Sequence, residues 1–210
     1  MRHIAGLLIL GFQALCFPAE AQTIHGLTIG ERLIPALERM PKTHNFSQAG
    51  NYAAIKWSFP NGSSLSATAS PDTGKIVFLE QDQNSASAAD DPHPPGLILG
   101  TTTLDDIRRR FGSNGIGFVS NMETFQDGAL IGINCYELQR APGVFVAFVT
   151  RLAPSGHTGA GTPSRISTGR GVLVSIIAAE KTYLQEIWGS KIVSDPNYRP
   201  IDVPGMVDGH

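Results

Sequence analysis

The residues of this chain that could do chemistry are few and dispersed. Beyond the first 21 residues the histidines are His25, His44, His93, His157 and His210, and no two fall at a spacing that sets them on one face of a helix or strand. A zinc ion needs three or four converging ligands, so the pattern predicts no metal site. No serine stands in the Gly-x-Ser-x-Gly turn that exposes a hydrolase nucleophile. Cys135 continues the strand side that carries Ile131 and Ile133, where a cysteine behaves as a small buried hydrophobe with a raised pKa. Gly159, Gly161, Gly169 and Gly171, with Arg165 and Arg170, have the composition of an anion-wrapping loop. They lack the lysine and Ser or Thr that follow the last glycine of a phosphate loop, and read as a mobile surface loop. The sequence therefore predicts no catalytic, metal-binding or cofactor-binding set. Large aromatics are the remaining candidates, because Trp and Tyr dominate protein-binding hot spots. Taken singly, Trp57, Trp188, Tyr52, Tyr136 and Tyr183 read better as core.

Composition narrows the partners. Sixteen basic residues against eighteen acidic ones leave a net charge of -2 and a pI near 6.3. That balance removes the electrostatic case for nucleic acid. The one basic run, Arg108 to Arg110, sits beside Asp105 and Asp106 as a solvated helix face would. Arg2 and His3, the apolar run Ile4 to Phe17, and Ala19-Glu20-Ala21 read as a signal peptide over residues 1–21, with Gln22 as the first mature residue. The apolar run is shorter than the roughly 20 residues of a spanning helix, so no stable membrane span is expected. Gln13, Ala14 and Leu15 do not supply the small residue that a lipidation motif sets before its cysteine. The expected location is periplasmic or secreted, by bacterial export. Cys135 would then be the sole thiol, and stability must come from burial.

The elements that must position these residues form two similar stretches. Gly26-Leu27-Thr28-Ile29-Gly30 answers to Gly96-Leu97-Ile98-Leu99-Gly100. Ile34 and Leu37 follow the first, and Leu104 and Ile107 the second, at matching spacing. Phe59-Pro60-Asn61-Gly62 answers to Phe125-Gln126-Asp127-Gly128, a phenylalanine two residues before a hairpin turn. The first unit, 22–82, is read as a helix from Glu31 to Met40, strands around Ile55 to Phe59 and Leu65 to Ala69, and a third strand, Lys75 to Glu80. A polar, proline-bearing linker occupies 83–95. The second unit, 96–153, has a helix capped by Thr102 or Thr103, with Gly112 as its stop, then strands around Ile131 to Tyr136 and Val144 to Arg151. A mobile Gly/Ser/Thr loop covers 154–171. A strand and short helix cover 172–189, the helix starting with the capping-box spacing Thr182 to Gln185. Residues 190–210 form an extended tail.

Gly-x-x-x-Gly followed by Thr-Leu-x-x-Ile-x-x-x-Phe-Gly (Thr103 to Gly112) and an antiparallel meander resembles the repeat of beta-lactamase inhibitory proteins and small outer-membrane assembly lipoproteins. The resemblance spans Gly26 to Leu152. It implies tandem copies whose strands form a sheet with helices behind and a concave face gripping another protein. Carried over residue by residue, it implies that Trp57, Phe59, Phe125 and Tyr136 face the partner. The inhibitors' disulfides and the lipoproteins' lipidated cysteine have no counterpart here. The expected fold is α+β: two tandem αβββ units with antiparallel sheets, helices packed on one face, plus a C-terminal strand and short helix. The expected function is an exported, non-enzymatic protein-binding module, an inhibitor or cell-envelope accessory factor. Its partner is another protein of the envelope or medium, and it needs no cofactor. The alternatives are a cell-envelope hydrolase with a site assembled from scattered residues, and a small-ligand carrier.

Overall fold

A computed structural model describes residues 23–83, 96–119, 123–126, 129–152 and 170–203. The expected signal peptide, nearly all of the linker, most of the Gly/Ser/Thr loop and residues 204–210 lie outside these. In chain order the elements are β1 (Thr23–Ile24), β2 (Leu27–Thr28), α1 (Leu33–Leu37), β3 (Asn45–Ala49), β4 (Tyr52–Ser58), β5 (Ser63–Ala69) and β6 (Ile76–Gln83). Then come α2 (Leu104–Phe111), β7 (Ile116–Phe118), β8 (Glu123–Gln126), β9 (Ala129–Leu138), β10 (Ala141–Leu152), β11 (Val172–Glu180), α3 (Lys181–Trp188) and β12 (Ile192–Ser194).

The strands β3 to β12 form one ten-stranded sheet in the order β12-β7-β9-β10-β11-β6-β5-β4-β3, with β8 pairing β9 beyond the end of β7. Every pairing is antiparallel. This overturns the expected α+β arrangement of two αβββ units with helices packed on one face. The fold is dominated by a single sheet, and its helices are short. Three particular residue ranges account for the difference. Val172–Glu180, expected as a C-terminal addition, is a central strand between β6 and β10. The polar stretch after His44, where no strand was expected, is the edge strand β3. The segment around Ile192, expected as tail, pairs with β7.

The helices also lie on opposite faces. Leu33 and Ala36 of α1 and Ile107 of α2 pack into the larger core with Ile55, Leu65 and Phe148. Leu184 of α3 packs into the other core with Cys135, Phe145 and Ile177. Here these are termed the core face and the α3 face. Both sides of β9 to β11 are therefore apolar, which is why those strands lack the alternation of a half-solvated sheet.

Each of the first two helices starts with the same stitch to a strand. Gly30 N–H donates to Ile76 O, Ile76 N–H to Glu31 O and Leu33 N–H to Gly74 O, at 2.8, 2.8 and 2.9 Å. Gly100 N–H donates to Leu173 O, Leu173 N–H to Thr102 O and Leu104 N–H to Gly171 O, at 2.7, 2.8 and 2.9 Å. Side chains repeat the pattern: Glu31 accepts from Thr28 N–H at 2.6 Å and Thr102 from Ile98 N–H at 2.7 Å. Beyond this shared start the helices differ. Thr103 and Asp106 form a reciprocal capping box on α2, and Gly112 closes it in a left-handed conformation. α1 is shorter than the Glu31–Met40 expected: past Leu37 the chain tightens into i to i−3 bonds, Arg39 to Ala36 and Met40 to Leu37. α3 begins at Lys181 with Glu180 as its N-cap residue and no side-chain cap, two residues before the expected cap Thr182.

Close packing is tightest where α2 hands over to β7. Gly115 has φ +73°, and a Cβ there would lie 2.4 Å from Cys135 O and 3.0 Å from the Tyr136 ring. Left-handed strain and overpacking each cost about 1–3 kcal/mol. Gly115→Ala should lower unfolding stability by about 3 kcal/mol in a denaturant titration. A loss under about 1 kcal/mol would contradict this packing.

Candidate functional site

Strand register brings the polar residues of the first half onto one surface. On the α3 face, one row across the sheet reads Ser58, Ser64, Asp82, Ser175, Val149, Ile133. The next row reads Asn45, Lys56, Ser66, Glu80, Ile177, Ala147, Cys135. A third reads Ser47, Ala54, Thr68, Phe78, Ala179, Phe145. Each row changes from polar to apolar at or next to the β6–β11 junction. The apolar half lies under α3, whose Tyr183 and Leu184 are buried. The polar half adjoins it and opens at its outer side, where Lys56 and Ser58 are exposed.

Tyrosines mark the boundary between the halves. Tyr183 stands edge-on to Tyr52, with ring centroids 4.8 Å apart, and leans on Phe78 at 5.6 Å. The Tyr52 hydroxyl donates to Glu186 Oε2 at 2.5 Å, and that bond to the carboxylate is the main reason its pKa rises to about 12. α3 is thus tied to β4 beside the polar patch.

Inside the patch, Ser175 Oγ donates to Glu80 Oε1 at 2.9 Å. Burial raises the Glu80 pKa; Asp82 raises it further, while the Ser175 bond and Lys56 oppose the rise. Burial likewise raises Asp82, against Lys56 and the Gln83 backbone. Ser64 sits directly opposite Asp82 and is 2 % exposed, yet its hydroxyl has no hydrogen-bond partner. The patch therefore holds two carboxyl groups that are costly to ionise and one buried hydroxyl left unsatisfied.

The aromatic residues expected to meet a partner are placed elsewhere. Trp57 and Tyr136 are both 0 % exposed within the core face. The indole N–H of Trp57 donates to Pro41 O at 3.2 Å and the Tyr136 hydroxyl to Ser113 O at 2.8 Å. A partner meets neither while these contacts hold. Phe59 is half-buried and stacks on His25 at 4.8 Å. Phe125 lies on β8 opposite Leu130, and its side chain is outside the described residues. Of the three whose side chains are described, Trp57 and Tyr136 are buried and Phe59 is half-buried. Cys135 is fully buried on the α3 face, and burial pushes its thiol up to about 12. His44 packs near Trp57 on the core side, across the sheet from it. His93, His157 and His210 lie outside the described residues. Among the described residues no group of three or more His, Cys, Asp or Glu is placed to hold a metal, and no helix is long and apolar enough to cross a membrane.

The polar patch was present in the alternation of Ser64, Ser66 and Thr68 with Leu65, Ala67 and Ala69, and of Glu80 and Asp82 with Leu79 and Gln81. Only the register across β4, β5, β6 and β11 joins these into one site.

Comparison with known proteins adds little. No family model and no curated protein matches the chain. An extracellular protein containing a SCP domain from Bacillus anthracis str. Ames is similar in structure, with TM-score 0.47 and 8% identity. The match covers 95% of this chain and 57% of that one, so this chain spans little more than half of that protein's length. A likeness of that strength assigns neither family nor activity.

The raised Glu80 pKa has a consequence with a definite sign. A carboxyl that holds its proton more tightly when folded makes stability fall as pH rises from the ordinary value, 4.5, through the raised one. Glu80→Gln removes that fall. The variant should be more stable than the parent at about pH 8, with the difference closing towards about pH 4, in denaturant titrations at both values. A variant destabilised equally at both would contradict the buried-carboxyl account.

Proposed function

We propose that this chain is an exported, non-enzymatic module that binds another protein through the polar half of its α3 face. The sequence supports export through its basic start, apolar run and Ala-x-Ala site over residues 1–21. The observation that carries the binding reading is the change of character along each row of the α3 face, from apolar under α3 to hydroxyl and charge over β3 to β6.

The geometry supports binding over catalysis. Cys135 is buried with its thiol far from the thiolate form, and Ser175, the serine paired with a carboxylate, is only 3 % exposed. Neither meets a substrate. What the patch presents outwards is exposed Lys56 and Ser58 with partly exposed Ser66 and Asp82 on paired strands, suited to a polar contact with another surface. Four strands at about 4.8 Å and three rows at about 7 Å give roughly 400 Å². A standard interface uses about 800 Å² per side. The contact therefore also takes in the Tyr52–Glu186 rim.

A photo-crosslinking residue at Ser58, compared with one at exposed Glu38 on the core-face side, tests this directly. From Ser58 the mature protein should crosslink to a discrete protein of the native envelope or medium, and from Glu38 it should not. Equal labelling from both positions, or turnover of an envelope substrate by the purified protein, would contradict the reading.

A further inference from the structure

We propose that β3 pairs antiparallel with β3 of a second copy of this chain, Phe46 opposite Phe46, so that two sheets join edge to edge. β3 ends the sheet, and among the described residues no strand pairs with its outer side. Natural sheet edges are blunted by charge, proline, a bulge or short length. The opposite edge follows that rule: β12 has three residues and is flanked by Lys191 and Asp195-Pro196. β3 does not. Its five residues, Asn45–Ala49, carry no charge and no proline and pair with β4 without a register shift, and Asn45, Phe46, Ser47 and Gln48 are all exposed.

The other half of the sheet shows how such an edge is completed. Counted from the helix-start stitches at Ile76 and Leu173, strands of the two halves correspond in position. Register shifts at the same place in both, between Thr68 and Ala69 on β5 and between Val149 and Thr150 on β10. Trp57 then corresponds to Tyr136, and each donates to a carbonyl just past a helix, Pro41 or Ser113. By the same count Asn45, Phe46 and Ser47 correspond to Ile116, Gly117 and Phe118 of β7. On β7 those positions are covered by an antiparallel strand, with Ser194, Val193 and Ile192 of β12 opposite them. Val119 N–H donates to Lys191 O, and Gly115 O accepts from Asp195 N–H, so alternate residues of that stretch turn their backbone groups outwards. The corresponding outward groups on β3 belong to Phe46 and Gln48.

The side chains select the occupant. A strand laid on β3 meets Asn45 and Ser47 on the α3 face and Phe46 on the core-face side, where Phe46 lies opposite Ile55. Such a strand should read polar, apolar, polar, and β3 itself reads Asn45-Phe46-Ser47. With Phe46 opposite Phe46, Asn45 of each copy faces Ser47 of the other, and the contact closes on a two-fold axis. No like charges meet, because β3 has none. The Phe46 ring, 65 % exposed in the single chain, gains an aromatic partner across the new pair. The axis leaves both α3 faces on one side, so their polar halves adjoin. A five-residue edge is smaller than the about 800 Å² per side of a standard interface, which makes the dimer reversible and concentration-dependent.

Sedimentation of the mature protein over a concentration series tests this, and does so independently of the binding reading. The mass should rise from monomer to dimer. Phe46→Lys should lose the dimer with an unchanged circular dichroism spectrum, and Gln48→Pro, which removes an outward N–H, should lose it through the backbone. Ile34→Lys, which changes an exposed residue of α1 away from the edge, should keep it. In a mixture of isotope-labelled and unlabelled protein, an intermolecular Overhauser contact between Asn45 and Ser47 should report the register. A monomer at every concentration would overturn the proposal, as would a dimer that survives both β3 variants. Slow amide exchange at Phe46 and Gln48 in the monomer would also overturn it, by showing that another segment of the chain covers the edge. The crosslink from Ser58 stands or falls separately, since monomeric Phe46→Lys still presents the polar half of its α3 face.

Discussion

The pairing of β6 with β11 is the constraint on which the rest of the structure depends. Five register pairs, from Ser175 opposite Asp82 to Ala179 opposite Phe78, join the strands of the first half of the chain to those of the second. Without that seam there are two smaller sheets with open edges. With it, a single sheet buries apolar side chains on both faces at its centre. The two helix-start stitches dock on the leading ends of these same strands, at Ile76 and Leu173. The seam therefore also sets where α1 and α2 lie against the core face.

The seam creates the candidate site as well. It places Ser175 across from Asp82 and within reach of Glu80, and it sets apolar Ile177 and Ala179 beside Glu80 and Phe78. Both carboxyl groups lie at this seam and are raised in pKa by burial. Lys56, exposed two strands away, offsets part of the cost without closing an ion pair. Ser64 remains unsatisfied: its hydroxyl donates to no acceptor, Asp82 opposite it included. Packing alone gives no reason for a hydroxyl at that position, since alanine is the fully buried, same-sized choice used on the other face at Ala67.

Local structure was legible where the signals are local. The Thr103–Asp106 cap, the Gly112 stop and the alternation through Ile55 and Trp57 could all be read from neighbouring residues. The matching glycines, Gly30 and Gly100, each donate to a residue at the leading end of a central strand, Ile76 and Leu173, although the chain does not fold as two separate units. What could not be read was long-range. Nothing in Val172–Glu180 says that it pairs with β6, nearly 100 residues earlier in the chain, instead of completing a separate unit. Alternation sets Trp57 and Tyr136 on one side of their strands, but does not say which side is covered. Here α1, α2, the β1–β2 hairpin and the segment around Ile201 cover that side. The polar patch is not legible locally because its members lie on four separate strands, each serine or acid looking like an ordinary solvated position.

The most direct test of this account is the seam itself, measured by cross-strand nuclear Overhauser contacts and amide hydrogen exchange in the mature protein. Contacts between Ile177 and Glu80 and between Ala179 and Phe78, with slow exchange along both β6 and β11, are the predicted result. Rapid exchange of one side of β6, as expected of an edge strand, together with no contact to β11, would contradict a continuous sheet and dissolve the site built across it.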